Sequence, residues 1–408
     1  MIKYVLYSIS LVFMFACTTV GQATQEPSAP SALSEPSALS QPSAPLTKRV
    51  VAIGDIHGDF NQFVKILRAT GLIDKRNRWS GGEAHLVQLG DIPDRGPDSR
   101  KAMDLLMKLE KNSVKDGGAV TVLIGNHEAM MMTGDLRYVH PGEYASFKDK
   151  NSKARRKAYY KKTINYIKNY TPEIKWPVFD KAYQEEWEQR FPLGYVEHQI
   201  AWAATGKYGK WVLSHSAITK IDDTLFLHGG LSVKYSAMSI AEINTRVRTE
   251  LARPSTLNQL SLTENEQGPL WYRGWAQSIE NEEHQAALES VLAAQNAKRM
   301  VIGHTPLAPV VLPRFGGKLL IVDVGLSAHY GHGFSALEII DGKPRTILDG
   351  HTLPLPNDLQ GQNDYLQAVA ELVTDRSKID NYLLADKAAK DKAAAAAAQQ
   401  SAAANQNK

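Results

Sequence analysis

The chain has one cysteine, Cys17, in 408 residues. It can form neither an intrachain disulfide framework nor a thiolate metal site, so any metal must be held by nitrogen and oxygen ligands. Charge of one sign is scarce as well. A formal net charge of +4 over 408 residues gives no support to nucleic-acid binding, and none is expected. Long hydrophobic runs are also lacking. The apolar stretch from Tyr4 to Ala16, preceded by Lys3, is too short to cross a bilayer core of about 30 Å as a helix, but it suits a signal-peptide core. The chain is nevertheless 43% hydrophobic, enough to bury a substantial core in one large domain or two.

The ends read differently from the middle. The run Met14-Phe15-Ala16-Cys17 resembles a bacterial lipobox, in which Cys17 would be lipidated and become the mature N-terminus; cleavage after Ala23 is the alternative. Residues 25–46 repeat Ser, Pro and Ala, which cannot pack a core and read as an extended tether. The expected division is a signal segment at 1–17, a tether at 18–48, a catalytic domain at 49–350 and a tail at 351–408 without fixed structure. Lys387 to Lys408 is rich in Ala, Gln and Lys, a frayed helix or disorder. Together the ends predict a bacterial periplasmic or cell-envelope protein, tethered to the membrane by lipid at Cys17.

Between the ends, strand–loop–helix units repeat. Val50 to Ile53 is an apolar run stopped by Gly54, and Asp59 can cap a helix whose Phe60, Phe63, Val64 and Leu67 recur at helical spacing. His85 to Leu89 predicts a strand, Ser99 to Glu110 a helix and Val120 to Ile124 a third strand. This βαβαβ order argues for a largely parallel sheet covered by helices. Trp211 to Ser214, Thr224 to Leu227, Arg299 to Ile302 and Lys318 to Val322 read as strands of a mixed or second sheet. The stretch from about 130 to 208 breaks the rhythm and reads as an insertion. Its basic run, Lys148 to Lys162, is either a solvated helix face or a surface for acidic substrates.

The candidate chemistry sits where these strands end. The runs lead into Gly54-Asp55-Ile56-His57-Gly58, Gly90-Asp91-Ile92-Pro93-Asp94-Arg95-Gly96, Gly125-Asn126-His127-Glu128, His228-Gly229-Gly230 and Gly303-His304-Thr305-Pro306. Ligands gather at the carboxyl ends of strands in open α/β sheets, and the glycines permit tight turns and close approach of backbone to ions. Carboxylate, imidazole and amide donors without thiolate suit Mn, Fe or Zn. A carboxylate shared by two cations holds them about 3.5–4 Å apart, the spacing of two-metal phosphoesterases. Arg95, four residues after Asp91, is placed to offer its planar fork to phosphate. Any one of these turns is weak evidence; five in series carry the reading.

The blocks GDIHG, GDIPDRG, GNHE, HGG and GHTP resemble, in order, the signatures of the phosphoprotein phosphatase (PPP) family of metallophosphoesterases, over roughly residues 49–350. The block Trp271-Tyr272-Arg273-Gly274, the long insertion and the export signals are most similar to its bacterial Shewanella-like branch. The resemblance implies an α/β fold, a four-layer αββα sandwich with a largely helical insertion. It implies two divalent metal ions (Mn, Fe or Zn), one held by Asp55, His57 and Asp91, the other by Asp91, Asn126, His228 and His304. His127, oriented by Asp94, would be the general acid, with Arg95, Arg273 and Asn126 binding phosphate. The implied reaction is hydrolysis of phosphate monoesters on a phosphorylated protein, phosphotyrosine favoured, by a two-metal-activated hydroxide. The family's SAPNYC-type block is absent; the nearest stretch is Gly325 to Tyr330, so a serine/threonine preference is not implied. A diadenosine-tetraphosphatase-like nucleotide hydrolase and an inactive metal-binding envelope scaffold are the alternatives.

Overall fold

The computed structural model describes residues 49–170, 176–254, 257–258, 260–373 and 375–406. Cys17, the signal-like segment and the Ser/Pro/Ala tether lie outside the described residues.

Strands β1 (Arg49–Ile53), β2 (His85–Gln88) and β3 (Ala119–Val122) are aligned in parallel. The helix Phe60–Ala69 connects the first two; the Asp59 carboxylate caps it by accepting the Gln62 N–H, and Phe63, Val64, Ile66 and Leu67 are buried. The helix Ser99–Ser113 turns Ala102, Met103, Leu105, Leu106 and Leu109 inward. A second sheet comprises β4 (Ile218–Ile221), β5 (Thr224–Leu227), β6 (Arg299–Ile302), β7 (Leu312–Arg314) and β8 (Leu319–Ile321), in the order β4-β5-β6-β8-β7. Strands β9 (Ala336–Ile340), β10 (Lys343–Leu348) and β11 (His351–Pro354) return to the first sheet, whose order is β11-β10-β9-β1-β2-β3. One continuous apolar core takes side chains from both sheets. The expected α/β sandwich is present.

Three details differ from the sequence reading. The first sheet is half antiparallel, because β9 runs against β1 and is followed by β10 and β11 in successive hairpins. Both hairpins turn on Asp-Gly pairs, Asp341-Gly342 and Asp349-Gly350, with all four residues at positive φ, the conformation a two-residue type I′ turn requires. Second, Trp211 to Ser214 is not a strand: Lys207–Leu213 is a helix. Tyr208, Trp211 and Val212 lie at helical spacing on its buried face, and the Trp211 indole donates to Glu110 Oε2 at 2.8 Å. The strand begins at Ile218 instead.

Third, the region from 351 onward is not without structure. Residue 350 falls inside the last hairpin. Beyond β11 the helix Leu359–Ala370 buries Tyr365, Leu366, Val369 and Ala370, and the helix Ser377–Gln406 starts with Ile379 buried. Those apolar side chains dock the tail, and the alanine-rich part continues as helix, as its propensity favours.

Within 130–208 lie the helices Pro141–Ser146, Ser152–Tyr170, Lys181–Arg190 and Tyr195–Trp202. Trp187, Phe191 and Tyr195 form a small core of their own there. The basic run occupies the helix Ser152–Tyr170, where Arg155 pairs with Asp149 and Glu197, and Arg156 with Glu188.

Candidate metal centre

The loops after β1, β2, β3, β5 and β6 converge, and every residue singled out between Asp55 and His304 arrives at one buried centre or its edge. Asp55, His57, Asp91, Asp94, Asn126, His127, His228 and His304 are all at most 5% exposed. The backbone there is under constraint. His57, Asp91, Asp94, Arg95 and His304 have φ of +47°, +54°, +74°, +64° and +68°, a region that costs a non-glycine residue free energy and persists only where its surroundings enforce it. Gly125 shows what enforces it. A Cβ at that position would lie 2.3 Å from Asp91 Oδ1 and 2.5 Å from the Asp91 nitrogen, so no side chain fits between the two loops.

Asp91 Oδ2 is the hub. It lies 3.2 Å from His228 Nε2, 3.7 Å from His127 Nε2 and 3.9 Å from His57 Nε2. Asp55 Oδ2 is 3.7 Å from His57 Nε2. His228 Nε2 also lies 2.9 Å from Asn126 Oδ1 and 3.1 Å from His304 Nδ1. Two overlapping donor groups result: Asp91 with His57 and His127, and Asp91 with His228 and His304. The far ring nitrogens are held by backbone, His57 Nδ1 by the Pro93 carbonyl at 3.1 Å and His228 Nδ1 by the Leu89 carbonyl at 2.7 Å, which turns each Nε2 inward.

Asp94 Oδ2 meets His127 Nδ1 at 2.5 Å, leaving Nε2 toward the hub. Arg273 donates from Nη1 to the His304 carbonyl at 2.6 Å and to Thr305 Oγ1 at 3.0 Å.

Two acids were missed by the sequence reading. Glu128 accepts the N–H groups of Asp91, Ile92 and Gly125 at 2.9, 2.8 and 2.8 Å, and so staples the second loop to the third. Its place in GNHE was visible, its task was not. Asp323, buried just beyond β8, lies against Asp55; an acid following an apolar strand was the signal that could have found it. Tyr138, His329 and Tyr330 were also missed; they surround Arg95.

The electrostatics suit cations. Burial, with Asp323 and Asp91 alongside, raises Asp55 well above the usual carboxylate range. Burial pushes Glu128 to about 7 and Asp323 to about 6. Burial alone would raise Asp91 too, but His228, His127 and His57 pull it well below its ordinary value. Burial drives His57 down to about 3 and lowers His304, which also faces His228 and Arg273. Neutral imidazoles and crowded carboxylates are what divalent cations bind and relieve. Burial brings Asp94 to about 6, and although it opposes charging of His127, Asp91 and Asp94 outweigh it and raise that imidazole. Asp94 and Asp91 thus both favour the charged imidazole, whose Nε2 faces the hub.

Residues 48–354 match the sequence profile of the calcineurin-like phosphoesterases, and the chain belongs to that metallophosphoesterase family. It is 32% identical over 308 residues to an uncharacterised protein of Schizosaccharomyces pombe, covering 74% of this chain and 80% of that one. It is 26% identical over 308 residues to Shewanella-like protein phosphatase 1 of Plasmodium berghei, covering 73% and 74% of the two chains. Among solved structures, the cold-active protein-tyrosine phosphatase of a psychrophilic Shewanella species superimposes with a TM-score of 0.57 and 27% identity, over 76% of this chain and 80% of the other. The protein is a metal-dependent phosphatase.

Proposed function

We propose that this enzyme removes phosphate from phosphorylated proteins, with phosphotyrosine favoured, and that two divalent cations (Mn, Fe or Zn) complete its site. Asp55, His57 and Asp91 would hold one ion, and Asp91, Asn126, His228 and His304 the other. Bound there, the ions would neutralise phosphoryl oxygens and lower the pKa of a water. The chain's own part is proton delivery and orientation. His127 Nε2 gives its proton to the leaving oxygen while Asp94 fixes the ring through Nδ1, and Arg95 and Arg273 bind the non-transferring oxygens. The observation that carries the reading is the His127–Asp94 pair set 3.7 Å from the hub carboxylate. It is an acid aimed into a donor cluster, which a scaffold would have no use for.

Tyrosine preference is supported by the likeness to a protein-tyrosine phosphatase. The test is steady-state hydrolysis of a phosphotyrosine peptide, a phosphoserine peptide and a dinucleoside polyphosphate by metal-reconstituted protein. The phosphotyrosine peptide is expected to give the highest kcat/KM; a faster polyphosphate would overturn the proposal. His127→Asn should keep its metal content and lose about 10²–10⁴-fold in kcat, and a metal-loaded variant as fast as wild type would remove the acid role. The location proposed is the cell envelope, with lipid at Cys17. Support comes from the apolar Tyr4–Ala16 run, the lipobox-like end and the Ser/Pro/Ala spacer. Cys17→Ser should move the enzyme out of the membrane fraction.

A further inference from the structure

Arg95 is an expected phosphate-binding group whose side chain is held by segments the family blocks do not contain. Its backbone N–H donates to the Tyr138 carbonyl at 2.9 Å. Its guanidinium carbon lies 4.3 Å from the centre of the Tyr138 ring and 5.5 Å from that of Tyr330. Its Nη1 meets His329 Nε2 at 3.1 Å. Its Nε is buried with no hydrogen-bond partner among the described residues. Tyr138 belongs to the insertion, between the helices Asn126–Thr133 and Pro141–Ser146, and its ring also lies 5.3 Å from that of His127. It remains 37% exposed at the edge of an otherwise buried centre.

The segment that carries His329 and Tyr330 is itself tied down. The Ala328 N–H donates to Asp59 Oδ2 at 3.0 Å, and Lys378 of the C-terminal helix donates to the Tyr330 carbonyl at 2.6 Å. Tyr330 packs on His57, ring centres 5.4 Å apart. The guanidinium therefore lies over two aromatic rings on separately anchored segments, with an imidazole at one end of the fork.

We infer that Tyr138 and His329 are positioning residues that aim the Arg95 guanidinium at the phosphate, so that the insertion takes part in phosphate binding. This rests on the phosphate role of Arg95 proposed above. The aromatic face holds a cation by its quadrupole without competing for its N–H donors. A neutral imidazole takes one N–H and orients the planar fork. Burial and the Arg95 charge both lower the His329 pKa, which keeps that ring an acceptor.

The experiment measures KM, kcat and competitive inhibition by inorganic phosphate for metal-loaded Tyr138→Leu, Tyr138→Phe, His329→Leu and His329→Gln, each alone and with Arg95→Ala. Tyr138→Leu and His329→Leu should raise KM and the phosphate inhibition constant together by about tenfold, the equivalent of roughly 1.4 kcal/mol. Tyr138→Phe keeps the ring and His329→Gln keeps an acceptor, so both should stay within about threefold of wild type. In the Arg95→Ala background the leucine changes should have no further effect. Arg95→Ala without effect on phosphate inhibition would sink the phosphate reading and this inference together. A strong effect of Arg95→Ala with silent leucine variants would sink this inference alone. Full additivity with Arg95→Ala would mean that Tyr138 and His329 touch the substrate directly, and would also overturn it. Thermal midpoints and metal content within error of wild type separate positioning from collapse. Should Tyr138→Leu not fold, the His329 pair carries the same decision.

Discussion

In the strand-end loops a single side chain, Glu128, accepts three backbone N–H groups from two loops, and five non-glycine residues hold positive φ around a buried carboxylate. In the insertion the contacts are of another kind. Phe191 packs edge to face on Tyr195 and tilted against Trp187, and Arg155 and Arg156 form ion pairs at the surface. The loops are fixed by backbone geometry that tolerates few replacements, because most of their polar groups are buried and have designated partners. The insertion is held by burial of interchangeable aromatic area and by pairs that water screens. A constraint of the first kind leaves a motif in the sequence. One of the second kind leaves only composition.

That contrast is tested hardest at Asp91. Replacing it by asparagine keeps the shape and the acceptor for the His127 N–H but removes the charge shared by both donor groups. Asp91→Asn should lose metal and activity together, with turnover at background. Elemental analysis of the purified variant decides: two ions still bound would show that the hub is not Asp91.

A smaller effect, again confined to the loops, comes from removing metal. Above about pH 7.5, His57 and His304 are neutral folded and largely neutral unfolded, so they contribute little slope; near pH 6.5 the unfolded imidazoles are about half charged, and their loss of charge with rising pH opposes the trend. Asp55, Glu128 and the His127 imidazole have folded pKa values raised above their unfolded ones. The native state then binds more protons than the unfolded chain, and stability falls as pH rises, by up to about 1.4 kcal/mol per unit for each proton retained. Metal-free protein should lose thermal midpoint from about pH 7.5 to 8.5. Metal-loaded protein, its carboxylates already neutralised by cations, should stay nearly level. Parallel curves for the two forms would show that crowding at the centre is not what cations relieve.

How much of this was legible follows the same division. Asp55, His57, Asp91, Asn126, His127, His228 and His304 could be named because each lies in a glycine-containing turn that follows an apolar strand. Arg273 could be named only through resemblance, since Leu270 to Gly274 ends no strand. Glu128 was visible as a letter of GNHE, but accepting three N–H groups is a property of two loops meeting in space. The hairpins at Asp341-Gly342 and Asp349-Gly350 were present as turn signals and went unused, which cost the antiparallel half of the first sheet. Trp211 to Ser214 was read as a strand because four residues are too few to tell a period of two from one of 3.6. Tyr138 had no signal, and His329 and Tyr330 had only their place in the stretch nearest the SAPNYC-type block: their relation to Arg95 exists only after the insertion and the late loop have folded onto the second loop.

The smallest effect should come from the insertion's own surface. Arg155 bridges Asp149 at 2.7 and 2.8 Å and Glu197 at 2.7 Å, joining the helix Ser152–Tyr170 to the helix Tyr195–Trp202. Its side chain is 34% exposed and that of Asp149 is 46% exposed, whereas Glu197 is only 10% exposed. The exposed pair contributes little after screening and side-chain entropy, and leaving Glu197 without its cation adds a modest desolvation cost. Arg155→Gln should therefore cost about 1 kcal/mol or less, a drop of a few degrees in thermal midpoint, smaller still at high salt. Its kcat and KM should match wild type, because this bridge touches neither Tyr138 nor the loops. A rise in KM like that expected for Tyr138→Leu would mean that strain at the far end of the insertion reaches Arg95. The two regions would then be one cooperative unit rather than a rigid centre with a separately built flank.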